Sequence, residues 1–334
     1  MLEHGGRLRT AAKQYGIAVQ DWLDLSTGIN PNGWPVPAIP ASCWHRLPED
    51  DDGLEQAACD YYGAESLLAV AGSQAAIQAL PRLRKPCRVG VISPGYAEHA
   101  YAWQRAGHQV IAVDHDRIGE IVTQLDVLLL IHPNNPTGAR YSRQHLLDWH
   151  QMLSARSGWL VVDEAFMDIT PEHSLVPLAN REGLIVLRSL GKFFGLAGAR
   201  IGFVCAQTDI LQQLKSCLGP WTISGAARWL ARQALYDRHW QQSMRQTLLY
   251  HGERLQALLA RYELMTEGGC VLFHWVKTDA AAQIHSHLAR QGILTRLFSE
   301  PASLRFGLPA TEADWQRLES ALQQLTPLNE VPCT

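Results

Sequence analysis

Apolar positions along the chain fall into two regimes. From about Gly53 to Cys205, short apolar runs recur: Leu67–Val70, Arg88–Ile92, Gln109–Val113, Val127–Ile131, Trp159–Val162, Leu184–Leu187 and Ile201–Cys205. Helical text fills most gaps, notably Ser73–Arg84, Ala97–Ala106 and Arg143–Ala155. The first of these opens on Gly72 and Ser73, a favourable N-cap residue. Strands that are apolar throughout and separated by helices predict a mainly parallel sheet covered on both faces, a three-layer α/β/α domain. From near Ser224 the text turns helical to about Tyr262, with Gly252 as the only strong breaker. An apolar strand (Cys270–Val276), a helix (Ala280–Gln291), a strand around Ser303–Phe306 and a last helix (Glu312–Leu325) follow. That order predicts a smaller α+β domain with its own sheet.

The first 50 residues carry no clear period. They hold Gly5-Gly6, Asn30-Pro31-Asn32-Gly33, Pro35, Pro37 and Pro40, which reads as an irregular arm. The expected division is an arm over 1–45, a large domain over 46–225 and a small domain over 226–334. No internal repeat or low-complexity tract interrupts it.

Composition narrows the function classes. Hydrophobic residues make up 47% and charged residues 18%, enough apolar material for a core and unlike a disordered chain. Lys and Arg number 29 against 32 Asp and Glu, a net charge of −3, so no basic excess points to nucleic acid. No apolar run approaches the roughly 18 residues of a membrane span, and no signal-peptide pattern opens the chain. A cytoplasmic protein is expected. The seven cysteines, Cys333 among them, are scattered without a C-x-x-C pair, as expected of ordinary thiols in a reducing compartment. None of the 14 histidines falls in a metal-ligand pattern, so no metal is expected.

The candidate chemistry lies at strand ends. Lys192 sits in Ser189-Leu190-Gly191-Lys192-Phe193-Phe194-Gly195, among small and apolar residues. Poor hydration favours a neutral amine, the form that attacks an aldehyde to make a Schiff base. Asp163, in Asp163-Glu164-Ala165-Phe166, ends another strand, where a parallel sheet presents side chains to a ligand. Asn135 lies in the turn His132-Pro133-Asn134-Asn135-Pro136-Thr137-Gly138 and can donate to an oxygen. Gly72-Ser73-Gln74 opens a helix whose free N–H groups suit a phosphate. Tyr96, in Ser93-Pro94-Gly95-Tyr96, offers a flat face to a ring.

These motifs, in this order, with Ser189-Leu190-Gly191-Lys192 running on to Arg200-Ile201-Gly202 and a late Leu304-Arg305-Phe306, resemble the pyridoxal-phosphate enzymes of fold type I, in the class I/II aminotransferase family. The likeness runs from about Leu23 to Leu325. It implies pyridoxal 5′-phosphate as cofactor and a homodimer that the arm helps to build. By matching position, Lys192 would be the Schiff-base lysine, Asp163 the partner of the pyridinium nitrogen, Asn135 the donor to the ring 3-oxygen and Tyr96 the stacking ring. Gly72, Ser73, Gln74, Ser189 and Arg200 would surround the phosphate, with Phe166 beside the cofactor. Arg305 would fork onto the substrate carboxylate.

Within the family, four segments are similar to a subgroup, the threonine-phosphate decarboxylases of cobalamin biosynthesis. They are His4-Gly5-Gly6-Arg7, Leu23-Asp24-Leu25-Ser26 with Ile29-Asn30-Pro31, Pro94-Gly95-Tyr96-Ala97-Glu98 and Gly219-Pro220-Trp221-Thr222-Ile223-Ser224. The resemblance implies loss of CO₂ from L-threonine O-3-phosphate, with His4, Gly5, Gly6, Arg7 and Asn30 near the substrate. The chain departs from its relatives at Leu47, where they carry an interface tyrosine, and at Arg7, where they carry Asn. An aminotransferase acting on histidinol phosphate or a related amino acid is the alternative.

Overall fold

The computed structural model describes residues 4–325; Cys333 lies outside them. Contacts divide the chain into two compact units. One is Gly33–Asn135 with Ala139–Ser243; the other is Pro136–Gly138 with the chain up to Asn32 and from Met244.

The first unit is built on a seven-stranded sheet. Its spatial order is Leu67–Val70, Gly202–Cys205, Leu184–Ser189, Trp159–Asp163, Val127–Ile131, Arg88–Ile92 and Gln109–Val113. All neighbours are parallel except at Gly202–Cys205, which runs against both of its partners. The central strands are buried along their whole length, which is why they read as unbroken apolar runs. Helices Ser73–Ala79, Ala97–Arg105, Arg143–Ser154 and Thr208–Leu218 connect or flank them. The α/β architecture is therefore the one the pattern predicted.

The second unit holds a four-stranded antiparallel sheet, ordered Arg296–Phe298, Ser303–Gly307, Phe273–Lys277 and Gly268–Cys270. Helices Ala281–Arg290 and Glu312–Gln323 belong to it. Leu23–Asp24 adds a short parallel ladder with Ile293–Leu294.

Two expectations need correction. The arm is not wholly irregular: Leu8–Tyr15 is a helix closed by Gly16 in the left-handed region. Leu8, Ala11, Ala12 and Tyr15 line one face and pack with Trp22, Ala289 and Leu294. That spacing was present in the sequence, hidden by polar neighbours. The long helical text after Ser224 is two helices, Gly225–Tyr236 and Arg238–Arg261. The break falls at Asp237, whose Oδ1 accepts from Trp240 N–H at 3.0 Å. Gly252 does not break its helix. A Cβ there would come within 3.0 Å of Val271 O, so the glycine serves close packing.

The large sheet is pinned by an ionic cluster beneath its active edge. Arg188 is 1% exposed, lies 2.8 Å from Glu164 Oε2 and 3.0 Å from Asp168 Oδ1, and rests 4.6 Å over the Tyr62 ring. Burial alone would lower the guanidinium pKa, yet Asp168 and Glu164 hold it well above its usual value. Burial pushes the Glu164 carboxyl up, against the pull of Arg188. Arg188→Ala would strand two buried carboxylates. It should cost about 3–5 kcal/mol in urea unfolding. A loss under about 1 kcal/mol would mean the cluster is not held as a charged network.

Candidate active site

Parallel strands deliver their C-terminal ends to one edge, and the expected residues of the first unit gather there. Asp163 closes its strand and is 4% exposed. Its Oδ1 accepts from Ala165 N–H at 3.0 Å, which fixes the carboxylate plane. Its Oδ2 lies 2.8 Å from His99 Nε2. A carboxylate has no proton to give, so the imidazole is the donor. His99 is buried on the helix Ala97–Arg105, three residues beyond Tyr96. Sequence reading passed over it, because only the packing of that helix shows what it meets.

Lys192 lies just past the strand Leu184–Ser189 and is half-buried. Its Nζ is 5.3 Å from the centre of the Phe166 ring, with Phe193 and Phe194 fully buried beside it in the chain. Asn135 is half-buried in the loop after Val127–Ile131. The neighbouring Asn134 donates from Nδ2 to Pro94 O at 2.9 Å, tying this loop to that of Tyr96. The Tyr96 hydroxyl donates to Gln74 Oε1 at 3.2 Å, and burial, with the charges of Glu98 and Asp163, pushes its pKa up to about 12.

The expected phosphate cradle is assembled by sheet register. Gly202 pairs with Val70 on one side and Ser189 on the other, so Gly72-Ser73, Ser189 and Arg200 meet around one strand end. Space there is tight. A Cβ at Gly72 would sit 2.6 Å from Arg200 Nη2, and one at Gly202 would sit 2.6 Å from Ser73 N. Gly72 has φ +73° and Arg200 adopts the left-handed region at φ +54°. An arginine held there is consistent with a local function. A cationic side chain, two hydroxyls and a helix N-terminus form a donor set that fits a phosphate group.

Other residues expected from the sequence belong to the second unit. Arg305 is 7% exposed in the strand Ser303–Gly307, and its guanidinium lies 5.0 Å from the Phe273 ring centre. Its Nη2 donates to Ser26 O at 2.7 Å. Burial lowers its pKa to about 10, so it stays charged at neutral pH. Ser26 also holds the tail: Gly6 N–H donates to Ser26 Oγ at 2.7 Å, and a Cβ on Gly5 would strike the Ser26 carbonyl. The structure thus brings His4-Gly5-Gly6 toward Arg305 through one serine. His4 is half-buried, whereas Arg7 is exposed at the start of its helix. Asn30 is 2% exposed, and its Oδ1 accepts from Asn32 N–H at 2.9 Å.

A second arginine was missed. Arg296 pairs directly across the ladder with Arg305, on the same face of the sheet. Its positive charge is one of the causes that lower the Arg305 pKa. Only strand register reveals the pair.

The model of the aminotransferase class I and II family matches residues 45–322, and the chain belongs to that family. It is 57% identical to the threonine-phosphate decarboxylase of Pseudomonas aeruginosa, over 96% of this chain and 97% of that one. It is 39% identical to the threonine-phosphate decarboxylase of a Sinorhizobium species, over 96% and 98%. The solved histidinol-phosphate aminotransferase of Clostridium acetobutylicum has the same fold, with a TM-score of 0.82 at 20% identity, over 92% of this chain and 99% of that one.

His132, which begins the Asn135 loop, gives this region a pH dependence. It is 1% exposed, stacks on Tyr141 and accepts from Tyr141 N–H at 3.4 Å. Burial, with Arg140 and His173 nearby, lowers its pKa to about 4. The unfolded chain takes up the proton first, near pH 6.5. The stabilising contribution is therefore complete above that pH and shrinks as pH falls toward 4, by up to about 3 kcal/mol. His132→Phe should flatten the stability profile between pH 7 and 4.5. An unchanged profile would place the acid sensitivity elsewhere.

Proposed function

We propose that the protein is a threonine-phosphate decarboxylase. It is a pyridoxal-phosphate-dependent carboxy-lyase that converts L-threonine O-3-phosphate to (R)-1-amino-2-propanol O-2-phosphate in cobalamin biosynthesis. The observation that carries this reading is the 57% identity over nearly the whole chain, joined to a site with a separate pair of arginines for a substrate bearing two anions. The aminotransferase reading rests on more distant relatives, such as a histidinol-phosphate aminotransferase 29% identical over 88% of this chain, and on a solved structure at 20% identity. The solved structure carries the fold alone, and the sequence relatives stand well below the 57% and 39% of the decarboxylases.

When bound, pyridoxal phosphate supplies an electron sink for the pair released at the substrate α-carbon. Lys192 Nζ is the amine assigned to carry its aldehyde. Asp163, oriented by Ala165 N–H and His99, would pair with the ring nitrogen and favour its protonated form. Tyr96 would stack on the ring, Asn135 would donate to the 3-oxygen, and Phe166 would lie on the lysine side. Gly72, Ser73, Gln74, Ser189 and Arg200 would hold or flank the phosphate. Tyr96 keeps its proton at neutral pH, so its part is stacking and donation, not proton abstraction.

Arg305 binds the substrate carboxylate, a planar anion suited to a guanidinium fork. Arg296, with the tail His4-Gly5-Gly6-Arg7 and Asn30, takes the side-chain phosphate. Decarboxylation breaks the Cα–carboxylate bond, CO₂ leaves, and a proton replaces it on Cα. Lys192 Nζ is assigned as the group that returns this proton.

A cytoplasmic homodimer belongs to the same reading. Trp44, Leu47 and Trp221 are each more than 60% exposed, and Trp221 has φ +56°. Exposed large apolar residues of this kind favour a covered surface. With Leu47 in place of a tyrosine, the cofactor phosphate relies on Ser73, Ser189, Arg200 and backbone N–H groups.

The test is to incubate purified protein with O-phospho-L-threonine and separate amino-propanol phosphate from the oxo acid. Decarboxylation should dominate, and Lys192→Ala should abolish it. Oxo acid as the main product would shift the assignment to an aminotransferase. Asp163→Ala should keep the cofactor but lose at least about a hundredfold in kcat. Arg296→Ala should raise KM for phosphothreonine about tenfold or more while leaving cofactor content unchanged. An unaltered KM would remove Arg296 from the substrate site and leave the tail as the phosphate donor set.

A further inference from the structure

Gln78 and Glu98, which the proposed chemistry does not use, form a hydrogen-bonded cluster with Gln74 beside the expected phosphate site. Gln74 and Gln78 are four residues apart and share one face of the helix that Ser73 opens. Both donate from Nε2 to the same carboxylate oxygen, Glu98 Oε2, at 2.8 and 3.2 Å. Glu98 itself sits two residues after Tyr96, in the first turn of the next helix.

This arrangement fixes which way the Gln74 amide faces. Its nitrogen must point at the carboxylate, because a carboxylate only accepts. Its oxygen is then turned toward Tyr96, whose hydroxyl donates to it at 3.2 Å. At its other side the Tyr96 ring meets His99 edge to face, with centroids 6.0 Å apart and planes at 83°. His99 in turn holds Asp163 at 2.8 Å. One continuous chain of contacts therefore runs from Asp163 through His99 and Tyr96 to Gln74, the residue beside Ser73.

We propose that Glu98, acting through Gln74, is a positioning residue that locks the plane of the Tyr96 ring and ties that stacking platform to both anchors of the cofactor. This rests on the functional reading above, in which Asp163 takes the ring nitrogen and Ser73 the phosphate. The clamp holds the platform at a fixed height and tilt. A ring free to rock about its Cβ would lose stacking contact at one edge. A charged acceptor shared by two amides is the strongest element of the cluster, since hydrogen bonds to ionised groups exceed neutral ones. Glu98 touches neither cofactor nor substrate in this account, and Gln78 acts only by sharing its load.

The test reads cofactor affinity and the visible band of the full-length holoprotein, not turnover alone. Glu98→Leu and Tyr96→Phe should each weaken pyridoxal-phosphate binding by about tenfold and shift the band. Because they break one chain of contacts, the double variant should be no weaker than the worse single variant. Glu98→Gln keeps an acceptor but loses the charge and the acceptor-only character, so its affinity should fall between those of the parent and Glu98→Leu. If Glu98→Leu folds poorly by circular dichroism, Gln74→Met removes the same link and should show the same loss. Multiplying effects in the double variant, or unchanged affinity in both Glu98→Leu and Gln74→Met, would overturn the clamp. A parent protein that binds no cofactor at Lys192 would overturn the functional reading itself, and that result is seen before any variant is made.

Discussion

Gly202 is the point on which the large sheet's active edge depends. Its strand runs against its neighbours, so its first residue lies beside the last residues of two others, Val70 and Ser189. Three segments remote in sequence are thereby held at one spot, and a side chain at Gly202 would collide with Ser73 N and Arg188 O. Gly72, Ser73, Ser189 and Arg200 come together because that strand is reversed and begins on a glycine. A parallel strand in its place would present Arg200 at the opposite edge.

Beneath this edge the protein keeps two different kinds of buried carboxylate. Glu164 is spent on structure, facing Arg188 in a pocket shared with Asp168, Ser174 and the Leu175 N–H. Asp163, one residue earlier, points to the other side of the strand end and is held by one backbone donor and one imidazole. Alternation along a strand separates the two roles. Glu164 is committed to Arg188, which leaves Asp163 as the carboxylate held at the strand end by the Ala165 N–H and His99.

The second unit solves a different problem, how to keep a buried cation in place. Arg305 is fixed by the Ser26 carbonyl and the Phe273 face, and Arg296 stands directly opposite it. Burial is the main cause that lowers the Arg305 pKa, and the like charge of Arg296 adds to it. An arrangement of this kind is relieved when anions arrive. The N-terminal tail is joined to the same place through Ser26, which explains why Gly5 cannot carry a side chain.

By itself the sequence determined the sheet, because a strand buried on both faces must be apolar throughout, and Val127–Ile131 and Leu184–Leu187 are unmistakable on that ground. It also marked the residues whose chemistry follows from type and position, such as Lys192 and Asp163, since a strand end tells where a side chain emerges. It concealed the helix Leu8–Tyr15, whose apolar face is narrow, and the break at Asp237, which a side-chain cap makes without glycine or proline. His99, Glu98, Arg296 and Ser26 were decided only by tertiary structure. Each owes its place to a partner between 20 and 279 residues away or to the register of an antiparallel ladder. Such pairings leave no local period in the chain, because they are set by which surfaces pack together and not by what lies next to what.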